Sequence, residues 1–222
     1  MNDWNLKNRP LVIAEADDFM NQANRNGLDY LFYWKAKYPK FKITLFTIPD
    51  KTTLEFLNLI NFPNDWIELA IHGFTHDSNF ECWEWDEVTA KALMKRVIDT
   101  GKYVKIFKAP GWMITDKTAG YVASEHLPVS KDSTGVYRGL SDFIIVDRHY
   151  NKEVRPKDSK IICIDCQPDI VHMHTWPMVT GDLAGRNGFP EVEEIHGVPW
   201  DDKTEFKFIS EAYEEGLIKP CV

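Results

Sequence analysis

His72 and His76 stand four residues apart, a spacing that puts two imidazoles on one face of a helical turn, where they can share one cation. A catalytic zinc commonly has three protein ligands and one open position, so a third donor is needed. The adjacent carboxylates Asp17 and Asp18 are the candidates. Adjacent residues leave an extended strand in opposite directions, so one of the pair is expected to ligate an ion and the other to act as a base. A zinc protease of the HExxH kind is excluded, because Gly73 stands where that motif needs glutamate. Lys108, Pro110 and Trp112 form a third polar and aromatic group. His172 and His174 form a fourth, and their spacing of two puts them on one face of a strand.

Each of these groups follows an apolar run of strand length. Strands are expected at 11–14, 43–48, 66–71, 104–107, 143–146, 161–164 and 170–173. Helices are expected at 28–38, 53–60, 87–98 and 115–125. The third helix carries an apolar stripe of Val88, Leu93, Met94, Val97 and Ile98 and a stop at Asp99, Thr100 and Gly101. The segment from Phe206 to Tyr213 reads as a last strand or helix. Strand and helix alternate through the first half, which predicts an α/β fold with a parallel sheet. Ligands of such sheets gather at the carboxyl ends of the strands, and four strand ends here carry reactive side chains.

Composition bounds the function. A chain of 222 residues, 44% hydrophobic and 27% charged, is read as a single globular domain over 1–222. A net charge of -8 repels phosphate backbones and argues against a nucleic-acid partner. The four cysteines, Cys82, Cys163, Cys166 and Cys221, are too sparse for a disulfide framework and are expected to be reduced. Cys163 and Cys166 fall in an expected strand without a second CxxC, so no redox or structural-metal role is assigned to them. The sequence shows no signal-peptide core and no apolar run of about 18 residues. A cytoplasmic protein with no membrane partner is therefore expected.

Taken in order, Asp17-Asp18 after the first strand, His72 and His76 after the third, Lys108, Pro110 and Trp112 after the fourth and a late strand ending in histidine resemble the polysaccharide deacetylase family. This is the NodB-homology group, carbohydrate esterase family 4, and the likeness is to its divergent branch with Asp-Asp-Phe. The resemblance spans roughly residues 10–177 and rests on the ordered set. It implies a distorted (β/α) barrel of about seven parallel strands, NodB-like and related in plan to a TIM barrel. It implies a hydrolase that removes an acetyl group from an N- or O-acetylated sugar by metal-activated water. By position, Asp17 resembles the general base, Asp18, His72 and His76 the ligands of Zn2+ or of Co2+, Ni2+ or Mn2+, and His174 the general acid, with His172 the second choice. Lys108 takes the place of an arginine that pairs with the base, and supplies a point charge in place of a bidentate fork. The family's Thr/Ser-Phe-Asp-Asp-Gly stands here as Glu15-Ala16-Asp17-Asp18-Phe19.

Trp112, with Pro110 and His172, is expected to meet the carbohydrate, since a flat indole suits a sugar ring. Trp83, Trp85 and Trp176 also flank the motifs and are read as core. Asp165, Asp169 and Asp182 are candidates to orient the acid histidine, and Glu191 to Glu194 are read as a solvated face. Two other readings compete: a sugar-binding barrel without turnover, favoured by Lys108, and a metal hydrolase of another amide or ester.

Overall fold

Each apolar run contains a strand. The computed structural model describes residues 11–22, 26–113, 130–131, 137–138, 144–147, 161–163, 170–175 and 200–218. The elements are β1 (Leu11–Phe19), α1 (Leu28–Lys37), β2 (Ile43–Thr47), α2 (Leu54–Leu59), β3 (Ile67–His72), α3 (Glu87–Ile98), β4 (Ile106–Lys108), the short strands β5 (Ser130–Lys131) and β6 (Tyr137–Arg138), β7 (Ile144–Asp147), β8 (Ile161–Cys163), β9 (Ile170–His174), β10 (Glu205–Phe206) and α4 (Ile209–Glu214). The helix expected at 115–125 lies outside the described residues. So do Asp165, Cys166, Asp169, Trp176, Asp182, the acidic run at 191–194 and Cys221.

Local chemistry sets the helix ends. The Thr53 hydroxyl accepts from the Phe56 amide at 3.2 Å to start α2, and the Asp86 carboxylate accepts from Thr89 at 2.8 Å to start α3. Helix α3 stops before Gly101, which takes a left-handed φ of 67° while its amide donates to the Ile98 carbonyl at 2.9 Å. Its buried face is Ala90, Met94 and Val97. Val88, expected in the stripe, is 77% exposed. At 100° per residue it lies about 120° around the helix from Met94, off the buried face.

The main sheet runs β10–β1–β2–β3–β4–β7–β8, with β9 also on β1, and every ladder in it is parallel. β10 pairs with the start of β1, Leu11 against Glu205, and β9 with the rest of it, from Ile13 against Ile170 to Asp17 against His174. The expected parallel α/β architecture is thus present. Strands β1, β2 and β3 are buried on both faces, which is why they read as continuous apolar runs.

The two faces differ. Val12, Ala14, Ala16, Ile43, Leu45, Ile67 and Leu69 pack with Leu31 and Trp34 of α1 and Leu57 of α2. Ile71 and Phe107 pack with Ala90, Met94 and Val97 of α3 and with Cys82 and Trp85. The alternate residues Ile13, Phe46, Ala70, Ile106 and Ile170 face the other way and form an apolar layer with Ile209 and Ala212 of α4. Phe19 is fully buried against Phe56 and Phe62, at ring separations of 6.1 and 6.0 Å. Among the described residues no helix is long and apolar enough to cross a membrane.

Near the amino ends of β2 and β3, α4 closes the apolar layer through a buried polar cluster. The Thr44 hydroxyl donates to Glu68 at 2.9 Å and accepts from the Ile209 amide at 3.1 Å, while the Ser210 hydroxyl donates to the other Glu68 oxygen. Burial pushes the Glu68 carboxyl above its ordinary pKa, and the hydroxyl donors only partly oppose it. A raised folded-state pKa means that the protonated form stabilises the fold fully below the unfolded value and that this contribution is lost as pH rises through the folded value. Glu68→Gln, neutral at every pH, is therefore expected to exceed the wild type in urea midpoint at pH 7, with the difference closing toward pH 4. Identical midpoints across that range would refute the assignment.

Candidate functional site

The site is built at the carboxyl ends of β1, β3, β4 and β9. On β1, Glu15 and Asp17 alternate and point to the face that carries Lys108. Strict alternation would send Asp18 away. Instead the β1–β2 register shifts between Ala16 and Phe19, and Asp18 adopts a left-handed φ of 66°. A bulge of this kind re-aims a side chain. Both aspartates consequently approach His72: Asp18 Oδ1 is 3.5 Å and Asp17 Oδ2 3.9 Å from His72 Nε2. The expectation that neighbouring aspartates diverge is thus corrected, because the backbone at Asp18 is not extended.

The histidine pair is also not helical. His72 is the last residue of β3, Gly73 turns at φ 61°, and His76 takes φ 49°. The helical-turn reading of the four-residue spacing fails because a strand end and a left-handed turn replace the helix. The two rings still meet, with centroids 4.9 Å apart. His76 Nε2 lies 3.2 Å from Asp18 Oδ1.

Asp18, His72 and His76 offer three ligand atoms within 4.8 Å of one another, the one such group among the described residues. Zinc bonds of about 2.0–2.1 Å at tetrahedral angles put ligand atoms roughly 3.3–3.5 Å apart. The 3.5 and 3.2 Å separations from Asp18 Oδ1 match that edge. His72 Nδ1 is 3.1 Å from the Lys108 carbonyl, which only a protonated Nδ1 can satisfy, so Nε2 is left with its lone pair toward the cluster. The donor set therefore fits a divalent ion with an open position. Burial alone would raise the Asp18 carboxyl, but the two imidazoles beside it hold it far below the carboxylate range. For His72, burial opposes the charged ring, and the Asp17 and Asp18 carboxylates overcome it and raise the pKa.

Lys108 lies behind this group with no exposure. Its ammonium pairs with Glu15, donates to Asp17 Oδ1 at 2.7 Å and sits 3.8 Å from the centroid of the Phe46 ring. The backbone places Lys108 level with His72, and Asp17 level with His174, across neighbouring strands about 4.8 Å apart. His174 is half-buried, and the Thr175 amide donates to the Asp17 carbonyl at 2.9 Å. His172 stands level with Glu15, one pleat further from the strand end. Pro110 is buried, close enough to Gly73 that a Cβ there would meet its ring at 2.6 Å. Trp112 ends a 3-10 turn, Pro110–Trp112, directly after β4. Of the flanking indoles, Trp85 is core as expected and Trp83 is half exposed, contrary to the core reading, because Cys82 takes the buried position of their shared turn.

Two acids escaped the sequence reading. Glu15 carries a faint signal, since its spacing of two from Asp17 on a strand predicts a shared face. Glu81 carries none: its carboxylate accepts from the backbone amides of Phe74, Thr75 and His76, an arrangement that no spacing encodes.

No family model and no curated protein matches this chain. Among solved structures, one described as "T48 deacetylase with substrate" is similar at a TM-score of 0.53 and 12% identity, covering 95% of this chain and 94% of that one. The chain thus shares the fold of a deacetylase.

Removing Lys108 leaves two buried carboxylates facing each other without a cation. Breaking a buried ion pair in this way costs about 3–5 kcal/mol. Lys108→Met is expected to lose that much in urea unfolding at pH 7. A variant as stable as the wild type at pH 7 would contradict the geometry.

Proposed function

We propose that this protein is a metal-dependent deacetylase that releases acetate from an N- or O-acetylated sugar. The observation that carries the reading is the Asp18, His72 and His76 cluster with the Asp17 carboxylate beside it and outside it. The shared fold with a deacetylase supports the reaction class. The ordered motifs support the carbohydrate.

Asp18, His72 and His76 would hold the ion. When bound, such an ion polarises a carbonyl and makes water nucleophilic at neutral pH. Asp17 presents Oδ2 toward the cluster while Lys108 holds Oδ1, so the carboxylate is oriented to take a proton from the attacking water. His174, level with Asp17 at the strand end, would protonate the leaving nitrogen or oxygen. His172 sits about 6.6 Å deeper along the strand and is the weaker candidate. Pro110, Trp112 and His172 would meet the sugar, Trp112 by offering an indole face.

The same reading takes the sheet as a distorted (β/α) barrel of about seven strands. Strand order follows chain order from β1 through β4, β7 and β8, and β9 returns to β1, as β10 does at its first residues. Helices α1, α2 and α3 all pack on one face, as single-direction winding requires.

The test is ion content by mass spectrometry followed by acetate release from acetylated chitooligosaccharides and acetylated xylan. About one zinc or similar ion per chain is expected in the wild type, lost together with activity in His72→Ala/His76→Ala. His174→Ala is expected to keep the ion and lose about 10²- to 10⁴-fold in kcat. A wild type that takes up no divalent ion after supplementation sinks the reading, and one that binds the ion and sugar without releasing acetate reduces it to a binding protein.

A further inference from the structure

We propose that Glu81 is a positioning residue for the cation site, an internal anion that holds the His76 loop in its ligating shape; the inference rests on the metal reading above. The observation is a convergence of amides. Glu81 Oε1 accepts from Phe74 at 3.1 Å and Thr75 at 2.9 Å, and Oε2 accepts from Phe74 at 3.2 Å and His76 at 2.9 Å. Three consecutive N–H groups pointing into one concavity make a nest for an anion, and here the chain supplies its own.

The loop needs such a partner. His76 occupies a left-handed φ of 49°, which costs a non-glycine residue energy that its surroundings must supply. The segment from Gly73 to His76 belongs to no strand or helix ladder, so without Glu81 the amides of Phe74, Thr75 and His76 lose the acceptors just named. The fit is close on the other side as well. A Cβ on Gly73 would lie 2.6 Å from Glu81 Oε2, so glycine at that position leaves the room the carboxylate uses. Glu81 begins a 3-10 turn, Glu81–Trp83, whose Cys82 is buried against the α3 side of the core, so the carboxylate is anchored to the fold and the His76 loop is anchored to the carboxylate.

Glu81 acts on His76 through the backbone, by accepting from its amide. Removing groups that orient metal ligands from behind typically costs 10- to 100-fold in metal affinity. Zn2+ affinity of the full chain would be measured by chelator competition for the wild type, Glu81→Ala, Glu81→Gln and Trp83→Ala. Expected are a 10- to 100-fold weaker Kd for Glu81→Ala, a smaller loss for Glu81→Gln, which keeps one acceptor oxygen, and no change for Trp83→Ala in the same turn. Added formate is expected to restore much of the Glu81→Ala loss by occupying the nest, an effect that a general loss of stability would not show.

Wild-type affinity in Glu81→Ala overturns the inference while leaving the metal reading intact. If that variant does not fold, Glu81→Gln decides: wild-type affinity there overturns the inference equally. Absence of Zn2+ binding by the wild type overturns the metal reading and this inference with it.

Discussion

A charge is tolerated in a protein interior only where its partners replace water, and the Lys108 ammonium, fully enclosed, is the charge around which this site is arranged. Its nitrogen is shared by Glu15 and Asp17 and covered by the Phe46 ring. Its own carbonyl fixes the His72 tautomer. One residue at the end of β4 therefore sets the orientation of the carboxylate on β1 and of the imidazole on β3. These two groups belong to strands separated in the sheet by β2, and Lys108 joins them across that gap.

How far this was legible in the sequence depends on which physical rule governed each residue. Strand ends at Asp17, His72, Lys108 and His174 were legible because parallel strands buried on both faces read as unbroken apolar runs that stop where polar chemistry begins. Rules of regular geometry failed at the two places where the backbone is irregular. Asp18 joins the cluster through a left-handed residue beside a register shift, and His76 does so from a loop. Aspartate and histidine are enriched among the non-glycine residues that take a positive φ, but most of them do not take it, so residue type alone does not announce either conformation. Glu81 was invisible for the same reason: its partners are backbone amides, which every residue carries.

The molecule separates its two polar groups along the sheet. At the amino ends of β2 and β3, Thr44, Glu68 and Ser210 fasten α4, and at the carboxyl ends the aspartates and histidines gather. Ile13, Phe46, Ala70, Ile106 and Ile170 fill the space between. The hydroxyls that meet Glu68 come from a strand and from a terminal helix, so the closure at that end shares no side chain with the site.

Electroneutrality gives the enclosed Lys108 a further consequence. Glu15, Asp17 and Asp18 bring three carboxylates to a region that holds one ammonium, and Glu68, kept toward its uncharged form by burial, adds nothing from the far end. On the proposed reading the surplus is two negative charges in a place that water reaches poorly. A monovalent ion would leave one of them unbalanced, whereas a divalent ion cancels both. On that reading the formal charges around Lys108 would favour ions of charge two, and the imidazoles of His72 and His76 would select among them those that take nitrogen ligands.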